Sequence, residues 1–220
     1  MKSSRTFQIR IWGEDACFSR PEMKVERVSY DVITPSAARG ALEAILWKPA
    51  IQWRITRIEV LKEIRWQSVR RNELENKIPV NSVTAAMNAG KLSLETFIED
   101  ERQQRAGLIL RDVDYIVHVN FSLTSRAGPG EDIKKFEEMF RRRLEKGQCH
   151  AMPYLGCREF SAYFSIPEGT ETPIAETRDL GWMLHDMDFT GTEIQPRFFR
   201  AEMKKGIIAV PPLRAPETRA

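Results

Sequence analysis

The segment from Asp112 to Leu123 limits the fold of this chain more than any other stretch. Its odd-numbered positions are all apolar, whereas its even-numbered positions are polar apart from Ile116. Alternation with a period of two residues predicts a long β-strand that turns one face to the core and the other to solvent. The chain is therefore expected to contain a sheet with one wet side.

Two segments nearer the N-terminus predict a strand and a helix. Residues 7–12 alternate apolar and polar side chains, as a half-buried strand does. The Thr34 hydroxyl can cap the free amides of a helix whose first position is Pro35, and Pro49 stops that helix. Together they give the first strand and the first helix of the fold.

Three further segments extend this series. A second strand begins at Ile51, and a change of phase between Ile55 and Ile58 indicates a β-bulge. Asp132 can cap a second helix, and a last strand spans residues 158–166. The apolar stripe of that helix is Ile133, Phe136, Phe140 and Leu144, and the inward side chains of that strand are Phe160, Ala162, Phe164 and Ile166.

The element order strand, helix, strand, strand, helix, strand defines an α+β fold. It is the ferredoxin-like (RRM-like) βαββαβ pattern, with both helices on one face of an antiparallel sheet. We expect a first domain at residues 1–166 with a long insertion at 63–111 between strands two and three. We expect a small antiparallel β-sheet domain at residues 167–220, with its tightest turn at Lys204-Lys205-Gly206.

Composition excludes several classes of protein. A net charge of +3 means that any nucleic-acid surface must be a local one. No segment approaches the roughly 20 apolar residues of a membrane span, and the N-terminus lacks the apolar stretch of a signal peptide. Three cysteines without metal-type spacing favour a reducing cytoplasm, and without a phosphate loop or dinucleotide fingerprint we expect no cofactor.

The insertion carries the residues most typical of single-stranded RNA binding. It interleaves Trp66 and several amides with seven cations: Arg65, Arg70, Arg71, Lys77, Arg102, Arg105 and Arg111. The alternative is a solvated hairpin in which these arginines pair with Glu63, Glu73 and Glu75. Charge pattern alone leaves both interpretations open.

His118 is the candidate for proton transfer. Cleavage of RNA without a metal uses a group that exchanges protons near neutral pH, and His118 lies on the wet face of the third strand beside Asn120. The alternative is an ordinary hydrogen-bonded sheet histidine. The other two histidines, His150 and His185, have no metal-ligand spacing, so no metal site is predicted.

Several long segments resemble one family, the Dvulg subtype (type I-C) of the fifth Cas family of CRISPR proteins. The matching stretches, in order, are IRIWGEDACFSRPEMKVERVSYDV at 9–32, PSAARGALEAILWKPAIQW at 35–53, QQRAGLILRDVDYIV at 103–117, LGCREF at 155–160 and RDLGWMLHDMDF at 178–189. The resemblance covers nearly the whole chain. It implies a ferredoxin-like N-terminal domain and a small C-terminal β-sheet.

The resemblance also implies a function. Members of this family cut the precursor CRISPR transcript within each repeat without a metal, and they stay on the 5′ handle of the guide. The implied partners are CRISPR repeat RNA and the backbone (seventh Cas family) and large subunits of the Cascade surveillance complex, with double-stranded DNA as a further candidate. Residues 1–166 are then the RNA-binding domain.

This chain departs from the family's catalytic pattern. The family has a tyrosine at the end of the first helix and a lysine with a histidine on the later strand, whereas here Leu46 precedes Trp47-Lys48-Pro49 and the strand has no lysine. We therefore expect His118 as the proton-transfer group, with Lys48 or an arginine of the insertion stabilising charge. A shift of register in the comparison with the family would put Asn120, and not His118, at the family's histidine position.

Tyr115 is a further candidate only if its face is exposed, and its apolar side of the strand favours the core instead. The expected substrate-binding residues are Arg70, Arg71, Arg105, Arg111 and Asn120. Three functions stay open: a metal-independent endoribonuclease that keeps its product, a non-catalytic subunit that caps the guide's 5′ end, and an interaction scaffold with weak nucleic-acid affinity.

Overall fold

A computed structural model describes residues 3–23, 25–90, 94–95, 97–190, 193–216 and 218–219. Within these ranges the chain is α+β. Its elements are β1 (Phe7–Ala16), α1 (Pro35–Ile45), β2 (Ile51–Val60), β3 (Arg65–Leu74), α2 (Val80–Asn88), β4 (Arg102–Leu123), α3 (Ile133–Glu145), β5 (Tyr163–Ser165), β6 (Arg178–Asp188), β7 (Gln195–Lys204), β8 (Ile207–Ala209) and β9 (Thr218–Arg219). Among the described helices, none has both the length and the apolar character needed to cross a membrane.

The described strands form one continuous, antiparallel sheet. Its order is β5-β1-β4-β2-β8-β7-β6, while β3 pairs with the first half of β4 and β9 pairs with β7. β4 is central because its second half pairs with both β1 and β2. Side chains that β4 places on one face are therefore flanked on both sides by neighbouring strands.

The core lies on the odd-numbered face of β4, as the alternation predicted. Val117, Val119 and Phe121 are fully buried there. Helix α3 packs on this face through Phe140, whose ring centroid lies 4.6 Å from that of Trp53. Aromatic packing of this kind adds to the burial of apolar area and holds the helix layer on one side of the sheet.

The predicted helix starts and the predicted bulge are confirmed. The Thr34 hydroxyl accepts a hydrogen bond from the Ala37 amide at 3.1 Å, and the Asp132 carboxylate accepts one from the Lys135 amide at 2.8 Å. Each bond satisfies an amide that has no partner inside its helix. The β2 and β4 pairing shifts register between Ile55 and Arg57.

The last predicted strand is mostly wrong, since only Tyr163–Ser165 of residues 158–166 forms a strand. The preceding residues form a turn in which the Leu155 amide donates to the Phe160 carbonyl at 2.8 Å. Phe160 is buried by this turn, whereas Ile166 is exposed. The apolar alternation therefore came from turn packing and not from an extended strand.

The insertion at 63–111 is not separate from the third strand. β4 begins at Arg102 and runs through the second half of the insertion, so that β3 and β4 form a long hairpin. Asp112 has a positive φ of 55° where the hairpin joins the core part of β4, and its carboxylate binds the Lys62 ammonium at 2.6 Å. The hairpin thus extends the central strand beyond the core.

The C-terminal strands share hydrogen bonds with the first part of the chain, because β8 pairs with β2 through residues 57–59. The predicted small sheet is therefore joined to the main one, and a domain boundary at residue 166 stays a prediction. The predicted turn is confirmed: Lys205 and Gly206 have φ values of 49° and 74° between β7 and β8. Such left-handed values are the ones that a tight hairpin turn requires.

Candidate nucleic-acid interface

The side of the sheet away from α3 carries mainly polar side chains, and we call it the polar face. Register places Gln8 of β1 and Arg57 of β2 beside His118, and Arg54 beside Asn120. The side chains of the polar face are Gln8, Gln52, Arg54, Arg57, Glu59, His118, Asn120 and Ser122. Most of them are exposed or half-buried, so this face is open to a ligand.

One end of this side of the sheet is covered by the chain that follows β5. Arg10 binds the Asp114 carboxylate through two hydrogen bonds of 3.0 and 2.7 Å and lies 3.7 Å from Glu171. The Ile174 amide donates to the Val60 carbonyl at 2.9 Å. The accessible part is therefore the end that includes residues 52–54 and 118–122.

His118 is held by a carboxylate on this face. Its Nε2 lies 2.7 Å from Oε1 of Glu59, and Nη2 of Arg57 lies 2.8 Å from the same oxygen. His118 as a whole is only 9% exposed. Nδ1 forms no hydrogen bond with the residues that the structure describes. With the Nε2 proton directed at Glu59, Nδ1 is a proton acceptor.

Lys48 does not lie near His118. It follows α1 and precedes Ile51, which pairs with Leu123, whereas His118 pairs with Arg57. Five residues of strand separate these two levels, a distance of about 17 Å. The expectation that Lys48 and His118 act together at one phosphate is therefore wrong. Arg57 is the cation that lies beside the histidine.

The remaining strand candidates lie on opposite faces of β4. Asn120 is half-buried on the polar face, two residues beyond His118. Tyr115 is on the core face, and burial raises the pKa of its hydroxyl far above the ordinary value. The expectation that Tyr115 belongs to the core is confirmed.

Two of the four predicted arginines of the insertion are engaged within the protein. Arg71 and Arg105 are directly opposite each other in the hairpin. Arg71 binds the Glu159 carboxylate and stacks over Phe160 at 5.5 Å, while Arg105 lies 3.5 Å from Glu73. Both side chains thus pair with glutamates of the chain itself, as expected from the alternative of a solvated hairpin.

The other two arginines are free to meet a ligand. Arg70 and Arg111 are exposed, and neither side chain forms an ion pair or hydrogen bond with the residues that the structure describes. Arg70 pairs with Ala106 in the ladder, so it lies on the opposite side of the hairpin from Arg71. The four arginines therefore form no single cationic patch.

Sequence reasoning missed Glu59 and Arg57. The register shift before Arg57 returns Ile58 and Val60 to the core and directs the two charged residues to the polar face. The predicted change of phase in this strand was the signal that could have found them. No group of three His, Cys, Asp or Glu side chains that could hold a metal ion occurs in the described part of the chain.

Comparisons with known proteins agree with the resemblance. The family model Cas_Cas5d, described as CRISPR-associated protein (Cas_Cas5), matches residues 6–211. A Mannheimia succiniciproducens protein named CRISPR pre-crRNA endoribonuclease Cas5d is 54% identical over 220 residues, covering 96% of this chain and 97% of its own length. A Thermus thermophilus protein of the same name is 42% identical over 222 residues, covering 93% of this chain and 90% of its own length.

Two crystal structures share the fold. One, of a CRISPR-associated protein, has a TM-score of 0.72 at 22% identity and covers 100% of this chain and 99% of its own. The other, of a functionally uncharacterised Streptococcus mutans protein, has a TM-score of 0.71 at 23% identity and covers 100% of both chains. With its sequence matched almost from end to end, this chain belongs to the Cas5d family of CRISPR-associated proteins.

Proposed function

We propose that this chain is an endoribonuclease that cleaves precursor CRISPR RNA and that the cut is made on the polar face. The two relatives named as pre-crRNA endoribonucleases support the activity, since both align over more than nine-tenths of this chain. The observation that carries the site is the Glu59–His118 hydrogen bond of 2.7 Å on the open side of the sheet. It gives the face an oriented proton acceptor.

The reaction is an attack of the ribose 2′-hydroxyl on the adjacent phosphorus. Nδ1 of His118 takes the 2′ proton as the new O–P bond forms, and the bond to the 5′ oxygen breaks. The 5′ oxygen takes up a proton, so the products are a 2′,3′-cyclic phosphate and a 5′-hydroxyl. Every step uses proton transfer and needs no metal.

Arg57 supplies positive charge in this mechanism. Its guanidinium lies beside the histidine and is about 42% exposed, so it can reach a phosphate on the polar face while one nitrogen stays on Glu59. Stabilising the extra negative charge of the phosphorane lowers the barrier by about 2–4 kcal/mol, by analogy with oxyanion donors. Leu46, at the family's tyrosine position, is a buried alkyl group and takes no part in proton transfer.

The fold suits RNA binding. Strand order β5-β1-β4-β2, with α1 and α3 as the connections, supports the proposal of a ferredoxin-like arrangement, whose open sheet face is a common RNA platform. In this proposal the chain keeps the 5′ handle and joins the backbone and large subunits of a cytoplasmic Cascade complex, where double-stranded DNA is a further partner. Exposed Arg70 and Arg111 and half-buried Asn120 add contacts to the RNA.

The alternative is a subunit that binds the guide's 5′ end without cutting. The departure at Leu46 favours it, because the family's tyrosine hydroxyl is missing. The two functions differ in one observable, cleavage of the repeat.

Incubating the purified chain with its cognate repeat RNA in EDTA tests the proposal. We expect a single cut, and we expect no cut when the ribose at that position is 2′-deoxy, since the nucleophile is then absent. His118→Ala should slow cleavage at least about 100-fold while changing repeat affinity less than about threefold, because a proton-transfer group acts on the transition state.

His150→Ala is the matched control, because His150 is an exposed histidine away from the polar face. A wild-type chain that binds the repeat but cuts it neither in EDTA nor in magnesium is the binding subunit. Cleavage by His118→Ala at the wild-type rate removes His118 from the mechanism.

A further inference from the structure

A groove of about 620 Å³ lies along the free edge of β2, between α1 and the C-terminal strands. It exists because β8 pairs with β2 only through residues 57–59, so that residues 51–55 pair with no strand of the described residues on that side. Trp47 and Phe189 line it with exposed rings, 58% and 63% accessible. Two aromatic surfaces of this kind suit a planar ligand.

The charges that line the groove leave a positive excess. Arg39 is neutralised within the wall, where Asp186 accepts two hydrogen bonds from it at 2.5 and 2.8 Å and Glu43 accepts one at 2.7 Å. Arg54 and Arg126 also line the groove, and their guanidinium groups have no partner among the residues described. An anionic ligand is therefore favoured over a neutral or cationic one.

The wall also contains an acceptor without a donor. His185 is 6% exposed, and its Nε2 lies 2.7 Å from the Pro211 carbonyl oxygen. A carbonyl only accepts, so Nε2 carries the hydrogen and Nδ1 keeps a lone pair. Nδ1 is buried and makes no hydrogen bond within the described chain. Because this atom is buried, a ligand in the groove meets the aromatic rings and the two arginines and not Nδ1.

The groove is continuous with the polar face through Arg54, which also pairs with Asn120 in the sheet. The levels of His118 and Ser122 are four residues apart on β4, a separation of about 13 Å. RNA lying across the polar face therefore reaches the groove within a short span.

We propose that this groove binds a single-stranded nucleotide that flanks the cut in the precursor RNA. The base stacks on Trp47, and the adjoining phosphates lie against Arg54 and Arg126. This inference rests on the proposed function and adds a second binding element to it. The two uncompensated arginines favour RNA over an extended peptide added to the β2 edge.

Affinity for a non-cleavable repeat, with 2′-deoxyribose at the cut, tests the stacking contact. Trp47→Ala should weaken binding about tenfold without changing its salt dependence, since a stacked base carries no charge. Trp182→Ala is the control, because Trp182 is exposed on β6 outside the groove. It should bind as the wild type does.

The phosphate contacts have a separate signature. Arg54→Gln with Arg126→Gln should lower the slope of log affinity against log salt by about 1.4, the value for two phosphates on a single strand. Arg141→Gln with Arg142→Gln removes the same charge from α3 and should leave the slope unchanged. Thermal melting checks that all variants fold.

Parallel cleavage of the unmodified repeat separates the two proposals. If the wild type cuts the repeat while Trp47→Ala and the Arg54, Arg126 variant bind like their controls, the groove holds no RNA and the endoribonuclease stands. That outcome would favour an extended peptide that pairs with the free edge of β2. If the wild type neither binds nor cuts the repeat, both proposals fail.

Discussion

A single carboxylate, that of Glu59, determines how His118 can act. This carboxylate contacts Nε2 of the histidine and the guanidinium of Arg57. It therefore orients the imidazole and holds the arginine beside the histidine. When a carboxylate accepts a hydrogen bond from one ring nitrogen, the other ring nitrogen can accept a proton, as in other oriented histidines. The proposed chemistry therefore depends on a group that never touches the RNA.

Cys157 is a half-buried thiol whose neighbours lower its pKa. Hydrogen bonding with the Cys17 side chain lowers the pKa of Cys157 to about 6. The Cys157 sulfur lies 3.6 Å from the Cys17 carbonyl oxygen and 3.9 Å from a guanidinium nitrogen of Arg27. We expect alkylation of Cys157 by iodoacetamide to rise with pH and to reach half its maximal rate near pH 6, because the thiolate is the nucleophile.

Removing the Cys17 thiol should raise the pKa of Cys157 again. In Cys17→Ala the midpoint should move up toward the ordinary thiol range of about 8.5, as mass spectrometry of the Cys157 peptide over a pH series can measure. An identical midpoint in both proteins would show that the Cys17 contact has no influence on Cys157.

The face on which a side chain lies could be predicted from sequence where it depends on the alternation of a single strand. The alternation of β4 was enough to place His118 and Asn120 on one face and Tyr115 on the other. The separation of Lys48 from His118 was not predictable, since it depends on the register between β2 and β4. Pairing registers are set by contacts between distant segments.

At the scale of elements, the hairpin of β3 and β4 separates arginines that the sequence treats alike. Arg70→Ala should lower the salt slope of repeat binding by about 0.7, because its free guanidinium can neutralise one phosphate. Arg71→Ala should instead destabilise the fold by about 1 kcal/mol, through loss of its stacking on Phe160 and its pairing with Glu159.

Salt titrations and thermal melts of the two variants give this comparison. Arg111→Ala, which also removes an exposed arginine without a partner in the described ranges, should lower the salt slope as Arg70→Ala does. Equal salt slopes for Arg70→Ala and the wild type would show that Arg70 contacts no phosphate of the RNA.

The elements that the sequence predicted are those with one buried face. α1, α3 and the core part of β4 each bury an amphipathic surface, so their periodicity is visible. Residues 102–108, in the first part of β4, are exposed or half-buried on both faces, so no alternation marks them. β3 supplies the hydrogen bonds that make them a strand.

At the scale of the whole molecule, the proposed contacts lie on one sheet and in the two connections at its edge that carry Trp47 and Arg126. Helices α1 and α3 cover its core face, the segment after β5 covers part of the other side, and the remainder is open beside the β2 groove. The net charge of +3 is consistent with this arrangement, because the free arginines are few and local. RNA is expected to cross the sheet from the hairpin toward α1.

Crosslinking of 4-thiouridine-substituted repeat RNA to the full chain tests this account most directly. Mass spectrometry of the crosslinked peptides should find them at residues 47–57 and 118–126, on the polar face and along the groove. Crosslinks confined to α3 and the helix-covered side of the sheet would contradict it.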